Sequence, residues 1–150
     1  MVKISPRPFD PWAEAREYQH AAAQMTGKFG ATNLFVGTMR DFNEGDDVVG
    51  MTLEYYPGMT ERALENIVRE AGERWPIIDA LVVHRVGDIR PGEPIVLVAV
   101  WTSHRGDAFD AARHIMEALK SRAPFWKKEW LKAKGERWVA RNTDGYLKSE

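Results

Sequence analysis

The sequence predicts an α+β domain with mostly antiparallel strands. Apolar residues at three- and four-residue steps alternate with short β-branched runs, in the order α, ββ, α, ββ, α, ββ. Two long apolar runs, 78–86 and 94–102, are separated only by a Gly- and Pro-containing turn, so they should pair as a hairpin. No repeat, low-complexity tract or linker interrupts the 150 residues, enough for one domain, 1–150, to bury a core without covalent staples.

Each element has a local reason. Asp10-Pro11 is a helix start, with Asp as N-cap and Pro at the first helical position, and the helix should reach about Ala23. Gly27 and Gly30 break the chain before a strand at 31–39. Residues 41–47, Asp-Phe-Asn-Glu-Gly-Asp-Asp, read as a loop, and 48–56 as a second strand ending at Pro57-Gly58. Ala63, Leu64, Ile67, Val68, Ala71 and Trp75 share one helical face, stopped by Pro76. After the 78–86/94–102 pair, Ala108, Ala112, Ile115 and Leu119 form the core stripe of a third helix. Pro124 ends that helix and biases Ala123 toward an extended conformation. Residues 125–131 and 137–141 could then pair across Lys134-Gly135, and the polar tail from Asn142 should fray.

The totals exclude several function classes. With no cysteine, the chain has no disulfide, thiolate metal site or cysteine nucleophile, so any sulfur chemistry must use sulfur from another molecule. The four histidines form no H-x-x-x-H or comparable pair, so no metal site is expected. No apolar run approaches the ~18 residues of a membrane span, and the first residues lack the apolar centre of a signal peptide, so a cytoplasmic location is the default. Net charge is −1 but uneven: from His104 to Arg141 ten Lys/Arg face five Asp/Glu, leaving 11 Lys/Arg and 17 Asp/Glu elsewhere. That imbalance points to an anionic partner for the C-terminal third.

The candidate site gathers around the proline stop. Arg113, Met116 and Lys120 recur on a helix face distinct from the core stripe, and the turn at Pro124 can return Lys127 toward Lys120. Two converging lysines beside Phe125 and Trp126 would handle an anion, although last-turn cations also suit the helix dipole and charge runs commonly lie on solvated faces. His104 and Arg105 sit where a strand gives way to a helix N-terminus, a favourable phosphate position; simple capping by Ser103 or Asp107 is the alternative. Arg40 follows a strand and could clamp an anion or pair with Asp41. Tyr55 and Tyr56 are expected in the core, with a subunit contact as the alternative, whereas Trp126, Trp130 and Trp138 favour a partner surface.

These residues fall within longer stretches: Phe35-Val36-Gly37-Thr38-Met39-Arg40, Leu53-Glu54-Tyr55-Tyr56-Pro57-Gly58-Met59-Thr60, His84-Arg85-Val86-Gly87, Ser103-His104-Arg105, the run from Leu119 to Glu129, and Gly135-Glu136-Arg137-Trp138-Val139. In that order, and over about residues 29–141, the chain resembles the catalytic (large) subunit of molybdopterin synthase. The resemblance implies an α/β hammerhead-type fold and a dimer of catalytic subunits, making a heterotetramer with two small ubiquitin-like sulfur carriers. Each carrier ends in a Gly-Gly thiocarboxylate, and two sulfurs pass to cyclic pyranopterin monophosphate without a metal or redox cofactor.

The same resemblance implies roles. Lys120 would hold the thiocarboxylate, stabilise negative charge at its acyl carbon and assist proton transfer, with Lys127 acting on that charge and on the pterin intermediate. Arg40, His104 and Arg105 would bind substrate anions, some of them across the dimer, and Phe35, Met116 and Glu129 would line the pocket. Arg141 is carried over with one residue fewer after Trp138 than in the family pattern. Lys128 stands where Arg is frequent, and 130–134 differ from the usual loop. Two alternatives need no chemistry: a nucleic-acid module stacking bases on the basic, Trp-rich third, and a non-catalytic module that only binds an anion or a ubiquitin-like partner.

Overall fold

The long apolar runs become the centre of a four-stranded sheet. In the computed structural model, which describes residues 1–142 and 145–146, this sheet has the order β1-β5-β7-β2. It comprises β1 (Val2–Ser5), β2 (Ala31–Thr38), β5 (Ile77–Arg85) and β7 (Pro94–Thr102). β5 and β7 pair antiparallel, with Val82 opposite Val98, as the two apolar runs required. Both strands are apolar at nearly every position because both sheet faces are covered. Ala80, Val82, Val96, Val98 and Val100 pack beneath α2 (Met59–Arg74) and α3 (Arg105–Arg122). Leu81, Val83, Leu97, Ala99 and Trp101 face Ala15 and Tyr18 of α1 (Pro11–Ala21). The fully buried Trp101 is satisfied there: its indole N–H donates to Gln19 Oε1 at 2.9 Å.

The second sheet has the order β3-β4-β8-β9, with β6 also pairing with β4. Its strands are β3 (Phe42–Asn43), β4 (Asp46–Tyr55), β6 (Gly87–Ile89), β8 (Phe125–Leu131) and β9 (Gly135–Val139). A third apolar cluster, including Val48, Met51, Leu53, Ile89 and Leu131, lies on its inner face. β8 and β9 form the C-terminal hairpin, closed at Leu131–Gly135, so its second strand begins two residues earlier than the sequence pattern indicated. Every strand pair but one is antiparallel, as an α+β chain should show.

Several pieces were not anticipated. β1 pairs parallel with β5, and the Met1 ammonium donates to the Ala80 carbonyl at 2.7 Å, tying the N-terminus to the core. The stretch 41–47 is not only a loop: β3 and β4 pair across Glu44-Gly45, both at positive φ (51° and 80°), the conformation of a tight two-residue hairpin turn. β6 lies within the turn between β5 and β7. The first helix ends at Ala21, and Ala23–Met25 form a short 3-10 turn instead. Tyr56 is 54% exposed rather than core, in edge contact with exposed Trp126 at 5.1 Å between ring centres. The tail expected to fray from Asn142 lies mostly outside the described residues. No helix among the described residues is long and apolar enough to cross a membrane.

Candidate active site

The two lysines converge because one element ends and the next begins at Pro124. On α3, Met116 and Lys120 are four residues apart and face the same way. On β8 the two-residue period puts Phe125, Lys127 and Glu129 on one face. The register of β8 against β4, with Leu53 opposite Lys127 and Met51 opposite Glu129, turns that face inward. Thr60 secures the corner: its hydroxyl donates to the Pro124 carbonyl and accepts from the Tyr56 N–H, both at 3.0 Å. The Tyr-Tyr-Pro-Gly-Met connection thereby holds the chain reversal that brings Lys127 back to Lys120.

Two cavities share this lysine pair. The first, of about 150 Å³, is bordered by Phe35, Arg40, Met116, Lys120, Lys127 and Glu129 among others. The second, of about 110 Å³, is bordered by His84, Leu119, Phe125, Val139 and Asn142, and again by Lys120 and Lys127. Met51 and Ile95 also border both, so an apolar wall backs the cations. In the first cavity Gly37 has a steric reason: an added Cβ would lie 2.8 Å from Val96 Cγ1.

Enclosure first, and crowded cations second, set the electrostatics. Lys120 is pushed down from 10.5 to about 8, by enclosure first, then by Lys127 and Arg40, with Glu117 opposing. Lys120 as a residue is nonetheless exposed, so the recess that encloses it is open to solvent. Lys127 is also lowered, again mainly by enclosure, with Glu129 opposing and Arg40 adding. Arg40 lies over the Phe42 ring at 4.9 Å, a cation–aromatic contact that supports it in the site. Glu129, 2% exposed, accepts from Asn43 Nδ2 at 2.6 Å, while its other oxygen lies 3.6 Å from Arg137, an ion-pair distance too long for a hydrogen bond. A recess with two lysines of reduced basicity, an arginine and an apolar wall can bind an anionic tail and stabilise charge developing on it. Among the described residues, no group of three or more His, Asp or Glu is placed to hold a metal ion.

Comparison with known proteins shows the family. The family described as MoaE protein matches residues 7–122. This chain belongs to the MoaE protein family. A molybdopterin synthase catalytic subunit from Ralstonia nicotianae is 53% identical over 144 residues, covering 95% of this chain and 79% of the relative. Among solved structures, a molybdopterin biosynthesis MoaE protein from Burkholderia ambifaria superposes with a TM-score of 0.78 at 49% identity, covering 97% and 92% of the two chains. The molybdopterin synthase structure from Staphylococcus aureus gives a TM-score of 0.81 at 29% identity, covering 93% and 96%.

Within this MoaE-family chain, Phe35, Arg40, Met116, Lys120, Lys127 and Glu129 meet at one cavity. Arg141 follows β9 between Ala140 and Asn142, which border the second cavity. His104 and Arg105 do not join them. They are exposed at the start of α3, and fifteen helical residues put Arg105 about 22 Å from Lys120 along the axis. His104 is the N-cap residue and makes no side-chain capping bond, so capping by Ser103 or Asp107 does not describe this junction. Asn43, which holds Glu129, and His84, which borders the second cavity, were given no role by motif reading. Asn43 lay in an apparent loop, and His84 lies inside an apolar strand where histidine is ordinarily structural.

Proposed function

We propose that this chain is the catalytic subunit of a molybdopterin synthase, a sulfurtransferase that takes sulfur from the C-terminal thiocarboxylate of a small carrier protein. The acceptor is cyclic pyranopterin monophosphate, which becomes the dithiolene of molybdopterin. The observation that carries this reading is the Lys120–Lys127 pair on the wall common to two cavities, with Arg40 at the first. One molecule can supply a reactive tail and another the acceptor while both meet the same ammonium groups. The relatives' name supports it as well, since a catalytic subunit presupposes a second kind of subunit.

In each transfer the thiocarboxylate sulfur bonds to a pterin side-chain carbon as a carbon–oxygen bond to that carbon breaks, the displaced oxygen leaving as water or with the opened cyclic phosphate. Water then adds to the acyl carbon, the carbon–sulfur bond breaks, and the carrier leaves with an ordinary carboxylate. Negative charge gathers on the acyl oxygen during that addition. Lys120 and Lys127 stabilise it in a recess where apolar walls strengthen the interaction. Lys120, poised near pH 8, is also suited to give or take a proton at neutral pH. Arg40 offers a planar two-point contact for phosphate. His104 and Arg105, too distant within one chain, reach a substrate only if a second copy presents the start of its α3, so the active unit is a dimer of this chain with two carriers.

The test is conversion of cyclic pyranopterin monophosphate by this chain with a thiocarboxylated carrier, beside Lys120→Ala and Lys127→Ala. Turnover that collapses in both variants while carrier binding persists is expected. A folded wild-type chain that binds the carrier without converting substrate would refute the assignment.

A further inference from the structure

The His84-Arg85-Val86-Gly87 stretch has no part in the reading above, yet it places a histidine on the wall of the second cavity. His84 lies near the end of β5 and is 4% exposed. Its Nδ1 is 2.8 Å from the Arg85 carbonyl oxygen. A carbonyl only accepts, so Nδ1 carries the proton and Nε2 keeps a lone pair. Its ring stacks on Phe125 with centres 4.0 Å apart and planes 18° from parallel, which fixes the direction of Nε2. Burial, and secondarily the charge of Lys120, lower the ring to about 4 against the opposing Arg85 carbonyl, so it is neutral throughout the physiological range. Among the described residues no protein donor is bonded to Nε2. Three side-chain donors border the same cavity, those of Lys120, Lys127 and Asn142; Asn142 Nδ2 is already bonded to the Lys120 carbonyl, and of the two ammonium groups it is Lys120 whose charge acts on the ring.

We propose that His84 is a positioning residue for Lys120, its Nε2 accepting a hydrogen bond from Lys120 Nζ when the site is occupied and leaving two N–H groups for the reacting acyl group. Such bonds are commonly long in an unliganded site and tighten in the complex. Five other charged or titratable groups act on the pair: Lys127 on β8, Arg40 after β2, Glu117 on α3, and Glu129 and Glu44 through Lys127. None of these offers a neutral acceptor, as the His84 ring does. The catalytic consequence rests on the sulfur-transfer reading, whereas the hydrogen bond itself does not.

The experiment compares wild type, His84→Phe and His84→Gln by pH-dependent amine labelling of Lys120, read by peptide mass spectrometry with the carrier bound, and by steady-state kinetics. Phe keeps the stack on Phe125 and removes the acceptor; Gln restores an acceptor. Losing the acceptor removes support for the ammonium, so the labelling midpoint should fall in His84→Phe and recover in His84→Gln. kcat should drop about tenfold to a hundredfold with KM unchanged, and Gln should recover most of it. An unchanged midpoint in folded His84→Phe would overturn the proposal. A shifted midpoint in a chain without turnover would sustain the pairing and refute the enzyme reading instead. If His84→Phe does not fold, nitrogen-15 spectra of wild type decide. A ring protonated only at Nδ1 over about pH 6–9 supports the proposal, and a proton on Nε2 overturns it.

Discussion

Removing one cation from the lysine recess should make Lys120 a stronger base. The perturbation is Arg40→Gln, with Lys127→Gln as a second variant. In wild type Lys120 sits at about 8, so roughly a tenth of it is neutral at pH 7 and half at pH 8. The shift comes first from enclosure and then from Lys127 and Arg40, so each substitution removes one of the two smaller causes. A like charge in the same cleft, at an effective dielectric between protein and water, is worth about 1 kcal/mol, or roughly 0.7 of a pH unit. Each variant should therefore move the Lys120 labelling midpoint up, toward about 8.7. The sign is fixed: removing a positive neighbour favours the ammonium, so Lys120 stays charged to higher pH. If charged Lys120 is the active form, the alkaline limb of kcat/KM in Arg40→Gln should move up with it. A wild-type midpoint near the ordinary lysine value, or an Arg40→Gln midpoint that does not rise, would refute the coupling.

Four further substitutions concern the scaffold. Asn43→Ala deprives the buried Glu129 of its 2.6 Å donor and should destabilise the fold by about 1–3 kcal/mol, read from the denaturant midpoint. Gly50→Ala would place a Cβ 2.4 Å from Trp130 Cε3 and should lower stability by about 1–3 kcal/mol; Gly72→Ala in α2 meets nothing within 4 Å and should raise it by roughly 0.5–1 kcal/mol. Asp10→Ala removes the acceptor of the Trp12 and Ala13 N–H groups, at 3.0 and 3.2 Å, and should cost about 0.5–2 kcal/mol of thermal stability.

Local chemistry by itself determined much of this protein. Asp10-Pro11 starts α1, Pro76 and Pro124 bound α2 and α3, and the unbroken apolar runs of β5 and β7 announce strands buried on both faces. These signals act through neighbouring residues or a short period, which is why they are legible one segment at a time. The motif blocks were likewise sufficient to place the chain in its family, and the step from Met116 to Lys120 already put two cavity residues on one helix face. Only the tertiary structure decided how the pieces meet. The register of β8 on β4 turns Lys127 and Glu129 inward; a slip of one residue would send Trp126 and Lys128 there instead. Thr60, 64 residues from Pro124 in sequence, holds the corner between the lysines. Asn43 finds Glu129 across 86 residues, and β1 reaches β5 only after the sheet exists. Arg105 and Lys120, which share one helix, are kept about 22 Å apart by its rigid rise. Pairings of this kind depend on the path of the whole chain, and no short window of sequence contains that information.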